Sequence, residues 1–276
     1  MTRFDAVLFD LDNTLCRHEQ SAEAIYTGAF ERAGAAPVGE PADLWRALDG
    51  DPDPDDPAGY LADGFRQVAA RYDRALDADA LAAGFRETVD YRMVSLLPGA
   101  DRALAAAREH GPVGLVTNGP SSRQSVKLDA LDLEGAFETV VYAGDLPRRK
   151  PRPDPFRRAL AALDVEAERT LYVGDSVEHD VVGAHRAGLR VAWCPDRQRR
   201  PDREATDEDE LERPTNHTPD YVFDTLVDLV SLLGGGTTAT TDADVNTTTN
   251  ADVDATTEAD TTTNAGVDDP RDPRGE

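Results

Sequence analysis

Six short apolar segments, separated by helical patterns, constrain the fold of this chain more than any other feature. They are rich in Val and Leu and continuous rather than alternating, which is typical of strands covered on both faces. The predicted strands span residues 6–9, 113–117, 139–143, 170–174, 190–194 and 221–223. Because helical patterns lie between them, the sequence predicts an α/β fold with a doubly wound, Rossmann-like parallel sheet.

Helix boundaries can be predicted between these strands. One helix is expected over residues 99–110 and another over 176–187, each followed by a glycine that favours a helix end. A third is expected to begin at Asp154 as its N-cap, with Pro155 at the first helical position. We expect these helices to cover the sheet.

About a hundred residues between the first two strands carry no strand signal and show helical periodicity instead. Apolar residues recur at helical spacing in three stretches, 22–33, 61–72 and 81–93. Ser21 and Asp77 are candidate N-caps for two of them. The sequence therefore predicts a helical subdomain inserted into an α/β core. The predicted boundaries are 1–15 and 96–233 for the core and 16–95 for the inserted subdomain.

The last segment, residues 234–276, differs in composition from the rest of the chain. It contains no Leu, Ile, Phe, Trp or Tyr. Such a segment cannot bury enough apolar surface to offset the entropy lost on ordering. We therefore predict a disordered C-terminal tail that is acidic and rich in Thr and Asp.

The charge balance excludes several classes of partner. The chain has 29 basic and 54 acidic residues and a formal net charge of −25. A nucleic-acid-binding protein needs a basic surface, and a membrane span needs an apolar run of about 18 residues. Neither feature is present in the sequence, so we expect no nucleic-acid and no membrane partner. Cys16 and Cys194 fit reduced packing residues, and the start lacks a secretion leader, so we expect a cytoplasmic protein.

The acidity of the chain also indicates the salt concentration to which the protein is adapted. High negative charge keeps a protein soluble but strains its compact state by self-repulsion, a combination known in halophiles. We favour a protein adapted to high salt. The alternative is an ordinary protein with an acidic tail.

Polar residues follow four of the predicted strands, at the edge where open α/β sheets bind ligands. They are Asp10 and Asp12 after the first strand, Thr117 and Asn118 at the second, Lys150 after the third, and Asp175 and Asp180 after the fourth. Each group alone could cap a helix or form a turn. Their joint occurrence at one sheet edge indicates a site.

These residue types suit phosphoryl transfer assisted by Mg²⁺. The carboxylates of Asp10, Asp12 and Asp175 are hard oxygen ligands of the kind Mg²⁺ prefers, and a carboxylate can also act as a nucleophile. Lys150 and the Thr117 hydroxyl can donate to phosphoryl oxygens. Asp12 is placed to give a proton to the leaving group and to take one from water.

Only two of the 29 basic residues are lysines, Lys127 and Lys150. A lysine in a chain that otherwise uses arginine suggests that a compact ammonium is needed at that position. This argument supports Lys150 as a site residue. We interpret Lys127 as either a chance lysine or one whose stem packs on its helix.

Four segments carry a family resemblance: FDLDNTL, LVTNG, KPRPDPF and GDSVEHDVVGAHRAG. In this order, over about residues 4–230, the chain resembles the haloacid dehalogenase-like hydrolase superfamily. It is most similar to its phosphatases that carry a helical cap after the first strand. The resemblance implies a cap that closes over the substrate and sets specificity.

The resemblance also implies roles for individual residues. Asp10 would be the nucleophile and Asp12 the general acid and base. Thr117 and Lys150 would complete the catalytic set and, with Asn118, bind the substrate. The implied Mg²⁺ ligands are Asp10, the backbone carbonyl of Asp12, Asp175 and Asp180, the last directly or through water.

The expected activity is Mg²⁺-dependent hydrolysis of a small phosphorylated metabolite through an aspartyl-phosphate. A phosphomutase shares every motif and differs in the cap, so it stays open as an alternative. A 2-haloacid dehalogenase is less favoured because the dehalogenases of this family lack the second acid, here Asp12. A phospho-acceptor signalling module is also less favoured because such modules lack the helical insertion. The sequence does not identify the substrate.

Overall fold

The computed structural model describes residues 4–48, 57–195 and 218–234. The elements in chain order are β1 (Ala6–Phe9), β2 (Cys16–His18), α1 (Ala22–Arg32), α2 (Pro41–Ala47), α3 (Pro57–Arg71), α4 (Ala78–Thr88), β3 (Val94–Leu96), α5 (Ala100–His110), β4 (Val113–Thr117), α6 (Ser121–Ala130), β5 (Thr139–Tyr142), α7 (Asp154–Leu163), β6 (Thr170–Gly174), α8 (Val182–Ala187), β7 (Arg190–Trp193), β8 (Tyr221–Val222) and α9 (Asp228–Leu233). The predicted disordered tail lies, from residue 235 onward, outside the described residues.

Six strands form one parallel sheet in the order β5-β4-β1-β6-β7-β8. This confirms the predicted α/β class and the parallel, doubly wound arrangement. Strands β1, β4 and β6 are buried at every position, which explains their continuous apolar pattern. β5, β7 and β8 are each one residue shorter than predicted. β1 lies between β4 and β6, where the strand order reverses and such sheets place their ligand crevice.

The two faces of the sheet carry separate apolar clusters. On β1, Val7 and Phe9 belong to one cluster together with Leu104 of α5. Leu8, on the opposite face of the same strand, belongs to the other cluster with Phe156 of α7. Alternate residues of one strand therefore anchor helices on both sides, which holds the carboxyl end of β1 in place.

Helices α1–α4 lie between β2 and β3 in the sequence and pack around an apolar cluster of their own, which includes Phe30, Phe65 and Leu81. Two predicted N-caps are confirmed. The Ser21 hydroxyl accepts a hydrogen bond from the backbone N–H of Ala24 at 3.1 Å, and Asp77 accepts from that of Ala80 at 3.0 Å.

The expectation that this insertion contains no strand is wrong. β2 and β3 pair antiparallel, with Cys16 opposite Leu96. Strands of three residues are too short to show a periodicity. The third helical stripe is also shorter than predicted, because α4 ends at Thr88 and Met93 is 45% exposed.

Two helix predictions need correction near the sheet edge. Asp154 is the first residue of α7 and Pro153 is its N-cap, so the predicted cap is displaced by one residue. The predicted helix 176–187 is divided into a π-helical turn, Val177–Val181, and α8. Ser176 caps that turn by accepting from the backbone N–H of His179 at 3.1 Å. The irregular turn lies next to the candidate site, as such turns often do.

Two expectations from composition can be compared with the described residues. Cys16 and Cys194 are both buried and neither forms a disulfide, which agrees with the prediction of reduced packing residues. Within the described ranges, no helix is long and apolar enough to cross a membrane.

Candidate active site

Three predicted metal ligands converge beyond the carboxyl ends of the central strands. Asp10 follows β1, and Asp175 and Asp180 follow β6. Each can offer one carboxylate oxygen, and these oxygens all lie within 4.8 Å of one another. We call these three residues the acidic cluster. The Thr14 hydroxyl lies 3.4 Å from an oxygen of Asp10 and 3.4 Å from an oxygen of Asp175, so the loop after β1 also contacts the segment that follows β6.

Lys150 occupies the centre of this arrangement. Its Nζ lies 2.6 Å from Oδ1 of Asp10 and 2.7 Å from Oδ1 of Asp180. It also donates to the hydroxyl of Tyr172, at 2.9 Å, and that hydroxyl lies 3.0 Å from Oδ1 of Asp180. The ammonium is therefore held between two strand ends by buried partners.

Burial controls the electrostatics of the acidic cluster. Burial, together with the charges of Asp180 and Asp175, raises the pKa of Asp10 to about 8 despite the opposing attraction of Lys150. Burial and the charge of Asp180 raise the pKa of Asp175 to about 7. Burial alone would lower the pKa of Lys150, but the charges of Asp10 and Asp180 outweigh it and raise that pKa.

The donor set of the acidic cluster fits a divalent cation. Three carboxylates face a single ammonium, that of Lys150, so one divalent ion would balance the charge. Closely spaced carboxylate oxygens are the ligands that Mg²⁺ takes from proteins. The side chain of Asp12 is not part of this cluster.

Asn118 contacts the protein rather than the open site. Its Nδ2 donates to the backbone carbonyl of Lys150 at 3.1 Å, and its Oδ1 accepts from the backbone N–H of Lys150 at 2.9 Å. This pair of hydrogen bonds fixes the loop that carries Lys150. The side chain of Asn118 thus positions a neighbour, a function that the sequence did not predict.

Asp12 forms a second aspartate–lysine pair. Its Oδ1 lies 2.5 Å from Nζ of Lys127, and its Oδ2 accepts from Nε2 of Gln124 at 2.7 Å. The same Nε2 lies 2.6 Å from the Thr117 hydroxyl. Lys127 is therefore neither a chance lysine nor only a packing residue.

Sequence reasoning missed four residues at this site: Thr14, Gln124, Lys127 and Tyr172. The scarcity of lysine was a signal for Lys127. Gln124 precedes it by three residues, which places both on one face of α6. Nothing in the local pattern distinguishes Tyr172, which occupies an ordinary position in a buried strand.

Two relatives that are named for their activities are similar to most of the chain. A ribulose-1,5-bisphosphate 5-phosphatase from Halopiger xanaduensis is 30% identical over 249 residues, which cover 82% of this chain and 99% of that protein. A phosphoglycolate phosphatase from Cereibacter sphaeroides is 32% identical over 200 residues, which cover 67% of this chain and 83% of that protein.

A solved structure shares the fold of this chain, and a family model matches its sequence. The magnesium-bound HAD-hydrolase YfnB from Bacillus subtilis has the same fold, with a TM-score of 0.63 at 24% identity, covering 84% of this chain and 99% of that one. The model of the haloacid dehalogenase-like hydrolases matches residues 4–188. The resemblance seen in the four motifs is confirmed, and the chain belongs to the haloacid dehalogenase-like hydrolase family.

Proposed function

We propose that this hydrolase is a Mg²⁺-dependent phosphatase that acts on a small phosphomonoester through an aspartyl-phosphate on Asp10. The observation that carries the proposal is the buried Asp10 carboxylate, bonded to Lys150 at 2.6 Å and within reach of two more carboxylates. The phosphatase relatives support the same reaction class. Like the substrates for which these relatives are named, the substrate proposed here is a small phosphorylated metabolite.

The acidic cluster and the backbone carbonyl of Asp12 are the proposed ligands of Mg²⁺. When bound, the ion would neutralise negative charge on the phosphoryl oxygens and hold the phosphoryl group in place. The raised pKa values of Asp10 and Asp175 reflect buried negative charge that lacks a sufficient counter-charge. This need for positive charge supports the assignment.

Asp10 attacks the phosphorus atom and displaces the leaving group. Its Oδ1 is held by Lys150 at 2.6 Å, and its Oδ2, which has a longer contact of 3.4 Å with the Thr14 hydroxyl, is the proposed attacking oxygen. Lys150 then offsets the charge that accumulates on the phosphoryl group. The Thr117 hydroxyl accepts from Gln124, so its own proton is available for a phosphoryl oxygen. Asn118 contributes to substrate binding by fixing the backbone of Lys150.

Asp12 gives a proton to the departing oxygen and later takes one from the water that hydrolyses the aspartyl-phosphate. Its side chain is 40% exposed, whereas that of Asp10 is 9% exposed. A carboxylate in contact with solvent can exchange its proton between the two steps. This difference supports Asp12, rather than a member of the acidic cluster, as the general acid and base.

Helices α1–α4 are the proposed cap, with domain boundaries at 1–15 and 96–233 for the core and 16–95 for the cap. Their separate apolar cluster supports this division. In this proposal the cap contacts the leaving group and determines which phosphomonoester is accepted. The charge of −25 supports a salt-adapted protein, and two buried cysteines that form no disulfide support a cytoplasmic one.

The test is phosphate release from p-nitrophenyl phosphate and from a panel of sugar phosphates, nucleotides and phosphoglycolate. It is run in high salt with Mg²⁺ or with EDTA, and with an Asp10→Asn variant. We expect free phosphate that depends on Mg²⁺ and on Asp10. A phosphorylated sugar product without free phosphate would indicate a phosphomutase, and halide release from a haloacid would indicate a dehalogenase. Full activity of Asp10→Asn would refute the proposed nucleophile.

A further inference from the structure

Two buried side chains on α6 converge on Asp12. Gln124 and Lys127 lie three residues apart, so they project from the same face of the helix. Lys127 Nζ contacts one oxygen of Asp12 at 2.5 Å, and Gln124 Nε2 contacts the other at 2.7 Å. Each carboxylate oxygen therefore has its own donor, and the direction of the carboxylate is fixed from two sides.

Gln124 also connects Asp12 to Thr117. Its Nε2 lies 2.6 Å from the Thr117 hydroxyl, so a single NH₂ group bridges residues at the ends of β1 and β4. A carboxylate only accepts hydrogen bonds, so the nitrogen and not the oxygen of the amide must face Asp12. This orientation leaves the acceptor side of the Thr117 hydroxyl occupied and its proton free.

The other end of the Gln124 amide indicates that packing alone does not explain the residue. Its Oε1 is buried and has no hydrogen-bond partner among the described residues. A buried acceptor without a partner costs stability, and an apolar side chain of similar shape would avoid that cost. Unsatisfied buried groups of this kind call for an explanation other than stability, such as a catalytic role.

The loop after β4 has space for Gln124 because residue 119 is glycine. A Cβ at Gly119 would come within 2.6 Å of Cγ of Gln124 and closer still to its amide. A side chain at this position would displace Gln124 from Asp12 and Thr117. The turn that carries the phosphoryl-binding residues is therefore shaped around this amide.

We infer that Gln124 and Lys127 are positioning residues. Together they hold the Asp12 carboxylate where it reaches the leaving group. Gln124 also orients the Thr117 hydroxyl so that its proton points toward the phosphoryl group. The inference rests on the proposed function, in which Asp12 is the general acid. Lys127 holds one oxygen of Asp12, and Gln124 couples the other oxygen to the phosphoryl-binding strand. Neither residue needs to contact the substrate.

The test compares two substrates under single-turnover conditions, with enzyme in excess. The p-nitrophenolate ion departs without a proton, whereas the alkoxide of an alkyl phosphomonoester needs one from Asp12. In Gln124→Leu and Lys127→Met, we expect release of the alcohol to slow at least about tenfold more than release of p-nitrophenolate. Lys127→Arg keeps a cation at this position and should recover part of the loss, because its planar guanidinium cannot fully replace a compact ammonium.

Controls separate this role from damage to the fold and from failure of the proposed function. Ser125→Ala, on an exposed position of the same helix, should match wild type with both substrates. Asp12→Asn should show the same leaving-group dependence. If Asp12→Asn does not, the assignment of Asp12 as general acid fails. If Asp12→Asn does and both α6 variants slow the two substrates equally, Gln124 and Lys127 are structural and the inference is overturned.

Gly119→Ala offers an independent variant in case Gln124→Leu does not fold. It leaves both α6 side chains in the sequence but displaces the Gln124 amide. We expect it to reproduce the leaving-group dependence of Gln124→Leu. An effect of Gly119→Ala that is equal for both substrates would count against the coupling through Gln124.

Discussion

The two lysines of this chain each pair with one of the two aspartates that follow β1, but at different depths. Lys150 and Asp10 have side chains that are 2% and 9% exposed, and a third partner, Asp180, is equally buried. Lys127 and Asp12 are 10% and 40% exposed. The deep pair, Lys150 and Asp10, is surrounded by protein and lies beside further carboxylates that its ammonium does not neutralise. The shallow pair, Lys127 and Asp12, is electrically neutral and contacts solvent.

This contrast separates two chemical tasks that involve the same residue types. A buried carboxylate held by a lysine keeps one orientation and meets little water, as a nucleophile requires. A carboxylate at the surface can exchange protons with solvent, as an acid and base requires. In the proposed mechanism, these two aspartates, two positions apart in the sequence, therefore take separate roles, Asp10 in attack and Asp12 in proton transfer.

The largest expected difference is between the two aspartates. Asp10→Asn should lower kcat by at least about 10⁴-fold because it removes the proposed nucleophile. Asp12→Asn should lower kcat by about 10²- to 10⁴-fold, the range of general acid–base catalysis. Steady-state phosphate release, with folding checked by circular dichroism, measures both. Equal residual activities would remove the functional distinction between the pairs.

Replacing Lys150 should lower the free energy of unfolding more than replacing Lys127. In Mg²⁺-free buffer, Lys150→Met leaves buried carboxylates unpaired and should lower the free energy of unfolding by roughly 3–5 kcal/mol. Lys127→Met leaves a carboxylate that solvent can reach, so the loss should be about 1 kcal/mol or less. Denaturant unfolding of the two variants and wild type gives both values. A loss for Lys127→Met as large as that for Lys150→Met would mean that the depth of the pair is not decisive.

Mg²⁺ should stabilise the folded protein by binding beside the deep pair, and this effect should not depend on the shallow pair. An ion bound only by the folded state stabilises it, by about 2.7 kcal/mol at a concentration 100-fold above its Kd. We expect Mg²⁺ to raise the Tm of wild type and of a Lys127→Met variant, and to have little effect on Asp175→Asn or Asp180→Asn. Thermal unfolding with Mg²⁺, and with Ca²⁺ and EDTA for comparison, tests this. Persistence of the full Mg²⁺ effect in Asp175→Asn would contradict the proposed ligand set.

The smallest expected difference between the deep and shallow pairs is in how salt changes the stability loss caused by replacing each lysine. Ions screen exposed charges more than buried ones, so the small destabilisation by Lys127→Met should shrink in molar KCl, while that of Lys150→Met persists. Wild type itself should become more stable as salt screens its net charge of −25. Melting curves at low and molar KCl test both points. Equal wild-type stability at both concentrations would reject salt adaptation.

The sequence predicted the sheet well because its central strands are covered on both faces. β1, β4 and β6 have the predicted bounds, since complete burial produces an uninterrupted apolar run. β2 and β3 escaped prediction because three residues cannot show a pattern and their pairing joins segments far apart in the chain. The division of the predicted helix at 176 also depends on tertiary contacts that no local pattern records.

The candidate site was predictable where residues follow strands and less so where a helix approaches from the side. The carboxyl ends of parallel strands meet at one edge, so the convergence of Asp10, Lys150 and Asp175 could be anticipated. The contacts of Gln124 and Lys127 with Asp12 depend on the orientation of α6 relative to the loop after β1. That orientation is set by packing, which the sequence of α6 alone does not specify.

The apolar cluster of α1–α4 has a consequence for how this protein can diversify. All of its buried members lie between Ile25 and Phe85, and none of them belongs to either cluster of the sheet. Stability changes at positions that share no contacts are nearly additive. If these helices form the proposed cap, mutation can therefore change which metabolite the protein prefers with little effect on the stability of the sheet that carries the acidic cluster.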